Sequence, residues 1–334
     1  MAFDVFGIEN PLIDLLAQVT DDFLERMEVK KNHMMLIDET RHRYLMENLK
    51  GLEVRTEPGG SCANTLLGIA QLGGKSAYCG KVGRDLYGEV YVRKLEEGGV
   101  ASFISTDGNV TGSTVILVTP DAARTMNTFL GACQELGPSD VPLDALKSSR
   151  MLYITGYLWD TETQKEAALK ALRTAGSEGI HVAMSLSDPF CVKRHKDDFI
   201  GILDKYVDFV FANREEALEL TGCQSTHEAM KALRKWCSGA AITLGASGAL
   251  VSMGEEQVYL DSEPVKPVDT TGAGDAFAAG FLHGVSSGAS LYHCGRLGTA
   301  FAAQVIQRIG PRLEGDVRGL LGEALAALPP PDRS

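Results

Sequence analysis

The sequence predicts an α/β fold: a three-layer α/β/α core built on a mainly parallel central sheet, with a small β lid beside it. Three observations lead there. From about residue 150 the chain carries strand patterns at MLYITG, IHVAMSLS, VDFVFAN, AAITLG and GALVSM, interspersed with helix patterns at TQKEAALKALRTAG, KDDFIGILDKY, REEALELTG and THEAMKALRKWC. Alternation of this kind covers both faces of a parallel sheet with helices. Residues 101–130 break the rhythm into short β-type runs divided by Gly112, Pro120 and Asp121. A length of 334 residues is enough for one large core with a small appendage.

The elements follow in order. DVFGIEN reads as a buried strand that stops at Asn10-Pro11. Residues 20–50 are charged and suggest helix, strand, helix over TDDFLERM, HMMLID and ETRHRYLMENLK, with Thr20 and Asp21 starting the first. SCANTLLGIAQLG is a helix rich in small residues, closed by Gly73-Gly74. SAYCGKVG is a strand and YGEVYVRKLEEGGV an amphipathic helix. FISTDG, STVILVT and ARTMNTFLG are the short β runs, and EPVKPVD is strand-like. The expected core is residues 1–13, 58–98 and 127–330; the expected lid is 14–57 and 99–126. The tail from about Leu325 through PPPDRS reads as frayed.

Composition narrows the function. The chain is 44% hydrophobic and 23% charged, with net charge −12. An acidic balance argues against non-specific binding to nucleic acid or anionic membranes. It leaves room for an anionic small ligand, since backbone amides make local positive sites. Seven scattered cysteines, without a C-x-x-C pair, suit free buried thiols in a reducing cytoplasm. The N-terminal stretch is interrupted by Asp4, Glu9 and Asp14, so it does not read as a signal peptide.

The strongest chemical signal is Val268-Asp269-Thr270-Thr271-Gly272-Ala273-Gly274-Asp275-Ala276-Phe277, followed by a helix-compatible DAFAAGFLHGV. Amides of Gly272, Ala273 and Gly274 at a helix start favour an anion. Asp275 beside them is either a helix-start carboxylate or a base for an attacking hydroxyl. Phosphoryl transfer needs an anion cradle and a base together. By contrast, Leu72-Gly73-Gly74-Lys75-Ser76 imitates the end of a Walker loop, but Ile69 stands where that loop needs glycine.

DTTGAGDAFAAGF resembles the C-terminal signature of the PfkB/ribokinase family of sugar and nucleoside kinases, and the resemblance extends over nearly the whole chain. It implies a ribokinase-like fold, ATP and Mg²⁺ as cofactors, Asp275 as catalytic base and Gly272, Ala273 and Gly274 as anion hole. Gly59-Gly60-Ser61-Cys62-Ala63-Asn64 resembles the family's N-terminal substrate motif, which assigns Gly60 and Asn64 to the acceptor; alone it reads equally as a helix-start turn. Asn213-Arg214-Glu215-Glu216 resembles an N-x-x-E motif placing Asn213 at ATP and Glu216 at magnesium through water; the same residues make a helix capping box. Thr243-Leu244-Gly245-Ala246-Ser247-Gly248 resembles a nucleotide loop, implying ATP contacts at Thr243, Gly245 and Gly248; it also fits a tight strand-to-strand turn.

Asn10-Pro11-Leu12-Ile13-Asp14 is similar to a stretch of adenosine kinases in which the Asp holds two ribose hydroxyls. A carboxylate is acceptor-only and suits a diol. Asp14 joins Gly60, Asn64 and Arg124 as the expected acceptor contacts; a lid-surface arginine and a solvated loop aspartate are the alternatives. Ser185 stands where the family usually has Asn in SLSDPF. Tyr157 and Trp159 are either pocket walls or core. The resemblance also places a monovalent cation, K⁺, at Asp269 and Thr271, with Gly310 nearby. The expected function is transfer of a phosphoryl group from ATP to the 5′-hydroxyl of a ribonucleoside, foremost adenosine, with a sugar kinase or a non-catalytic nucleotide sensor as alternatives. The expected partners are small molecules, and the lid edge is the place for a homodimer if the chain is not a monomer.

Overall fold

The computed structural model describes residues 1–121 and 123–326. The strands are β1 (Phe3–Ile8), β2 (Ile13–Gln18), β3 (Met34–Leu36), β4 (Val54–Pro58), β5 (Ser76–Gly83), β6 (Val100–Gly108) and β7 (Ser113–Val118). They continue with β8 (Arg124–Phe129), β9 (Ser149–Thr155), β10 (His181–Ser185), β11 (Phe209–Asn213), β12 (Gly239–Thr243), β13 (Ala249–Met253) and β14 (Glu256–Leu260). Nine of them form one sheet in the order β14-β13-β12-β11-β10-β9-β1-β5-β6. It is parallel from β6 through β12, and β13 and β14 close one edge as antiparallel hairpins.

Side-chain alternation sorts the core into two layers, as a pleated strand requires. On β9, Met151 and Tyr153 face one layer with Val5, Phe209 and Phe211, under helices Ser61–Gln71, Ala273–Ser286 and Leu291–Val305. Leu152 and Ile154 face the other with Phe6, Val182 and Val210, under helices Glu162–Glu178, Pro189–Tyr206 and Arg214–Thr221. All seven cysteines are free thiols, and six are buried. Among the described residues no helix is long and apolar enough to cross a membrane.

The second sheet has the order β3-β8-β7-β2-β4. Helix Asp21–Arg26 accompanies it, with Thr20 Oγ1 accepting from the Phe23 N–H at its start, as the sequence predicts. Two expected boundaries move. Residues 100–108, expected in the lid, form β6 and pair parallel with β5 in the large sheet. The helix before β6 makes it the return of a β–helix–β crossover, a relation no local pattern in FISTDG reveals. The lid sheet meanwhile runs on through β8 to Phe129. EPVKPVD is not a strand: residues 261–270 have no ladder, and Pro264 and Pro267 lack the N–H a ladder needs. Residues 327–334, which include most of the expected tail and the end of the expected core, lie outside the described residues.

Candidate active site

The site forms where two helix starts meet. Helices Ser61–Gln71 and Ala273–Ser286 pack closely because their contact is made of small residues: a Cβ on Gly68 would stand 2.7 Å from the Ala279 Cβ. This brings their first turns together. Ser61 Oγ donates to Asp275 Oδ1 at 2.6 Å, and Asn64 Nδ2 donates to Asp275 Oδ2 at 2.8 Å. Thr65 Oγ1 adds a contact to the Asp275 carbonyl at 3.3 Å. Burial raises the pKa of Asp275, while the Ser61 and Asn64 hydrogen bonds and the charge of Arg312 oppose the rise. The carboxylate is therefore fixed in orientation, yet each oxygen keeps a lone pair for a hydroxyl proton.

Gly272 starts the second helix in the left-handed region, with φ of 75°, and a Cβ there would lie 2.6 Å from Pro311. The Ala273 N–H is spent on the Thr270 carbonyl at 3.3 Å, whereas the Gly274 and Asp275 N–H groups have no backbone acceptor among the described residues. Of the expected 272–274 set, the Gly272 and Gly274 N–H groups are without an acceptor among the described residues, and the Asp275 N–H joins them. Nothing stands within 4 Å of a Cβ built on Gly274, so the approach to these amides is open. Unpaired N–H groups on a 14-residue helix fit a phosphate.

On the acceptor side Gly60 has φ of 95°, and a side chain there would meet the Asn10 carbonyl at 3.0 Å. Asp14, on β2, packs on Gly59, where a Cβ would come within 2.4 Å of Oδ1. Burial pushes the Asp14 carboxyl up to about 7, against the opposing charges of Arg312 and Arg124. Asn64 is more committed than the sequence suggests: besides donating to Asp275, its Oδ1 accepts from Arg312 Nε at 2.7 Å.

Two residues here escaped the sequence reading. Glu9 is 1% exposed, at the end of the first strand region. Its Oε2 accepts from the Cys62 N–H at 2.8 Å and its Oε1 from Thr155 Oγ1 at 2.7 Å. It caps the helix that carries Ser61 and Asn64, and burial raises its pKa to about 8. Arg312 sits in a loop where only Gly310 drew attention. A polar residue inside an apolar strand-end run, as Glu9 is, was the signal available in the sequence.

The remaining expected residues fall into separate groups. Arg124 does not stand free: its Nη1 pairs with Asp269 Oδ2 at 2.8 Å, tying the lid strand β8 to the loop before helix Ala273–Ser286. Asp269 also accepts from the Thr271 N–H at 3.0 Å, Thr271 Oγ1 at 2.7 Å and the Gly310 N–H at 3.0 Å. Although burial raises its pKa, these bonds hold Asp269 below the usual carboxylate range. Four donors, one of them cationic, do not fit coordination of K⁺ by this carboxylate. Thr271, Gly310 and Arg124 all converge on the Asp269 carboxylate.

Asn213 and Glu216 form the capping box: Glu216 N donates to Asn213 Oδ1 at 2.8 Å, and Asn213 N donates to Glu216 Oε2 at 2.9 Å. Burial pushes Glu216 up to about 7. Each of its oxygens keeps a lone pair, which fits a magnesium ion approached through water. Thr243 pairs with Asn213 at the adjoining strand ends. Gly245 and Gly248 make the β12–β13 turn with φ of 59° and 86°. A Cβ on Gly248 would collide with the Leu260 carbonyl at 1.8 Å, so the turn itself requires glycine there. Ser185, Asn213 and Thr243 all lie at the C-terminal ends of parallel strands, the side where open α/β sheets bind ligands. Ser185 Oγ accepts from the Ser187 N–H at 3.3 Å. Trp159 is buried, stacked edge-on against Phe199, and belongs to the core.

The sequence pattern described as pfkB family carbohydrate kinase matches residues 31–315. The structure of an adenosine kinase from Sinorhizobium meliloti superposes with a TM-score of 0.90 at 40% identity, over 97% of this chain and 100% of that one. A probable sugar kinase from Rhizobium etli superposes with a TM-score of 0.90 at 39% identity, over 97% and 98%. Adenosine kinase from Saccharomyces cerevisiae is 28% identical over 324 residues, 90% of this chain and 94% of the yeast protein.

Proposed function

The chain belongs to the pfkB family of carbohydrate kinases, and from that premise we propose that it phosphorylates the 5′-hydroxyl of a ribonucleoside, adenosine foremost. Kinases of this family use ATP, with Mg²⁺ typical.

The observation that carries the nucleoside reading is the lid face around Asp14. Strand register puts Leu16 on the same face as Asp14, opposite Ile116, which in turn faces Met126, which faces Met34. Leu16, Met126 and Met34 are only partly buried while Ile116 between them is buried; Leu15, Val115 and Leu117 on the other face are fully buried. An apolar strip beside a diol-binding carboxylate suits a flat base attached to a ribose. A free sugar would leave the strip facing water.

The chemistry follows from the residues. Asp14 accepts from the ribose diol, and Gly60 lets the sugar approach the backbone. Asp275, oriented by Ser61 and Asn64, takes the proton of the 5′-hydroxyl. The amides at the helix start, Gly272, Gly274 and Asp275, meet the charge that builds on the transferred group. ATP with magnesium supplies that group and its counter-charge, with Thr243, Gly245, Gly248, Asn213 and Glu216 on its side of the site. Lid closure excludes water as a competing acceptor.

The test is steady-state phosphorylation of adenosine, inosine, ribose and fructose with ATP and Mg²⁺. Adenosine should have the highest kcat/KM. Faster turnover of ribose or fructose would replace this reading with a sugar kinase.

A further inference from the structure

We propose that Arg312 is a substrate-contacting residue of the acceptor site, donating from Nη2 to the vicinal hydroxyl pair whose protons Asp14 accepts. The inference rests on the ribonucleoside reading above.

Arg312 uses Nε to hold Asn64 Oδ1 at 2.7 Å. Its Nη2 is buried and has no hydrogen-bond partner among the described residues. A buried guanidinium N–H without an acceptor is costly, and the cost is removed when a ligand oxygen arrives. Burial lowers the pKa of Arg312, and the carboxylates Asp14, Glu57 and Asp275 around it oppose that shift. Among the described residues it forms no direct ion pair with any of the three carboxylates, although Asp14 senses its charge more than any other.

The two groups are one-way in opposite senses. An ionised carboxylate only accepts; a guanidinium only donates. A hydroxyl does both. A vicinal diol seated near Asp14 can give its protons to the carboxylate and take the Arg312 N–H on its lone pairs, satisfying a group that the protein leaves unsatisfied. The same guanidinium fixes the Asn64 amide, so sugar recognition and the orientation of Asp275 run through one side chain.

The experiment measures kcat/KM for adenosine, 2′-deoxyadenosine and 3′-deoxyadenosine with the wild type, Arg312→Gln and Arg312→Lys. In the wild type, removing the contacted hydroxyl should cost about 10²-fold. In Arg312→Gln, all three substrates share whatever is lost through Asn64, but adenosine should fall about 10²-fold further than the matching deoxy analogue, so discrimination collapses. If Arg312→Gln does not fold, Arg312→Lys serves, since one ammonium cannot serve Asn64 and the diol together, and the same collapse is expected. Unchanged discrimination in a folded variant, with equal losses on all three substrates, would show that Arg312 acts only through Asn64 and would overturn the proposal. Failure of the nucleoside reading is seen separately, in the wild type, as turnover of ribose or fructose and none of the three nucleosides.

Discussion

Asn64 Nδ2 donates to Asp275 Oδ2 at 2.8 Å, joining residues 211 positions apart in the sequence. With Ser61 on the other oxygen, this bond sets the direction in which the carboxylate can receive a proton. Under the proposed function, proton acceptance depends on that orientation as much as on the carboxylate itself.

Removing Ser61 tests the electrostatics. Its hydroxyl stabilises the charged form of Asp275 and so lowers a pKa that burial raises. Ser61→Ala should therefore move the acidic limb of the kcat/KM–pH profile to higher pH. A limb that stays in place would mean that Asp275 is not the group titrating.

Glu9 predicts a pH dependence of stability. Its folded pKa of about 8 lies above the ordinary 4.5, so the folded state holds the proton more tightly than the unfolded chain. Between those values the folded state binds more protons, and stability falls as pH rises. Asp14 and Glu216, both raised to about 7, act in the same direction. Glu9→Gln keeps an acceptor for the Cys62 N–H and removes the charge. Melting curves at pH 5 and pH 8.5 should show a smaller drop in Tm for Glu9→Gln than for the wild type.

Gly248→Ala should destabilise the chain by about 2 kcal/mol or more, since φ of 86° and a 1.8 Å collision with the Leu260 carbonyl combine. Thermal unfolding measures it. The nucleotide KM should rise with it, because the β12–β13 turn adjoins the Asn213 strand end.

Arg124→Met removes the bond between the lid strand and the Asp269 loop. The expected outcome is a loss in kcat of about tenfold or more, with the melting temperature little changed, as suits a partly exposed ion pair. If melting drops while kcat holds, the pair is structural only.

Much of the fold was legible because its signals are local. Strand–helix alternation after residue 150, the Gly272-Ala273-Gly274-Asp275 turn and the Asn213–Glu216 capping box are each contained within a few residues. What the sequence hid is non-local. Nothing near FISTDG says that it pairs with SAYCGKVG, which is why β6 was expected in the lid. Nothing near Gly310 says that Arg312 reaches Asn64, or that Arg124 crosses to Asp269. Glu9 sits in a strand-end run where only the folded neighbourhood reveals a buried carboxyl capping a distant helix.

The most direct test is the Asp275→Asn variant, with kcat for adenosine and the Kd of adenosine and ATP measured on the same folded protein. The proposed function requires a fall in kcat of at least about 10²-fold with both Kd values within a few-fold of wild type. A kcat near that of the wild type would contradict it.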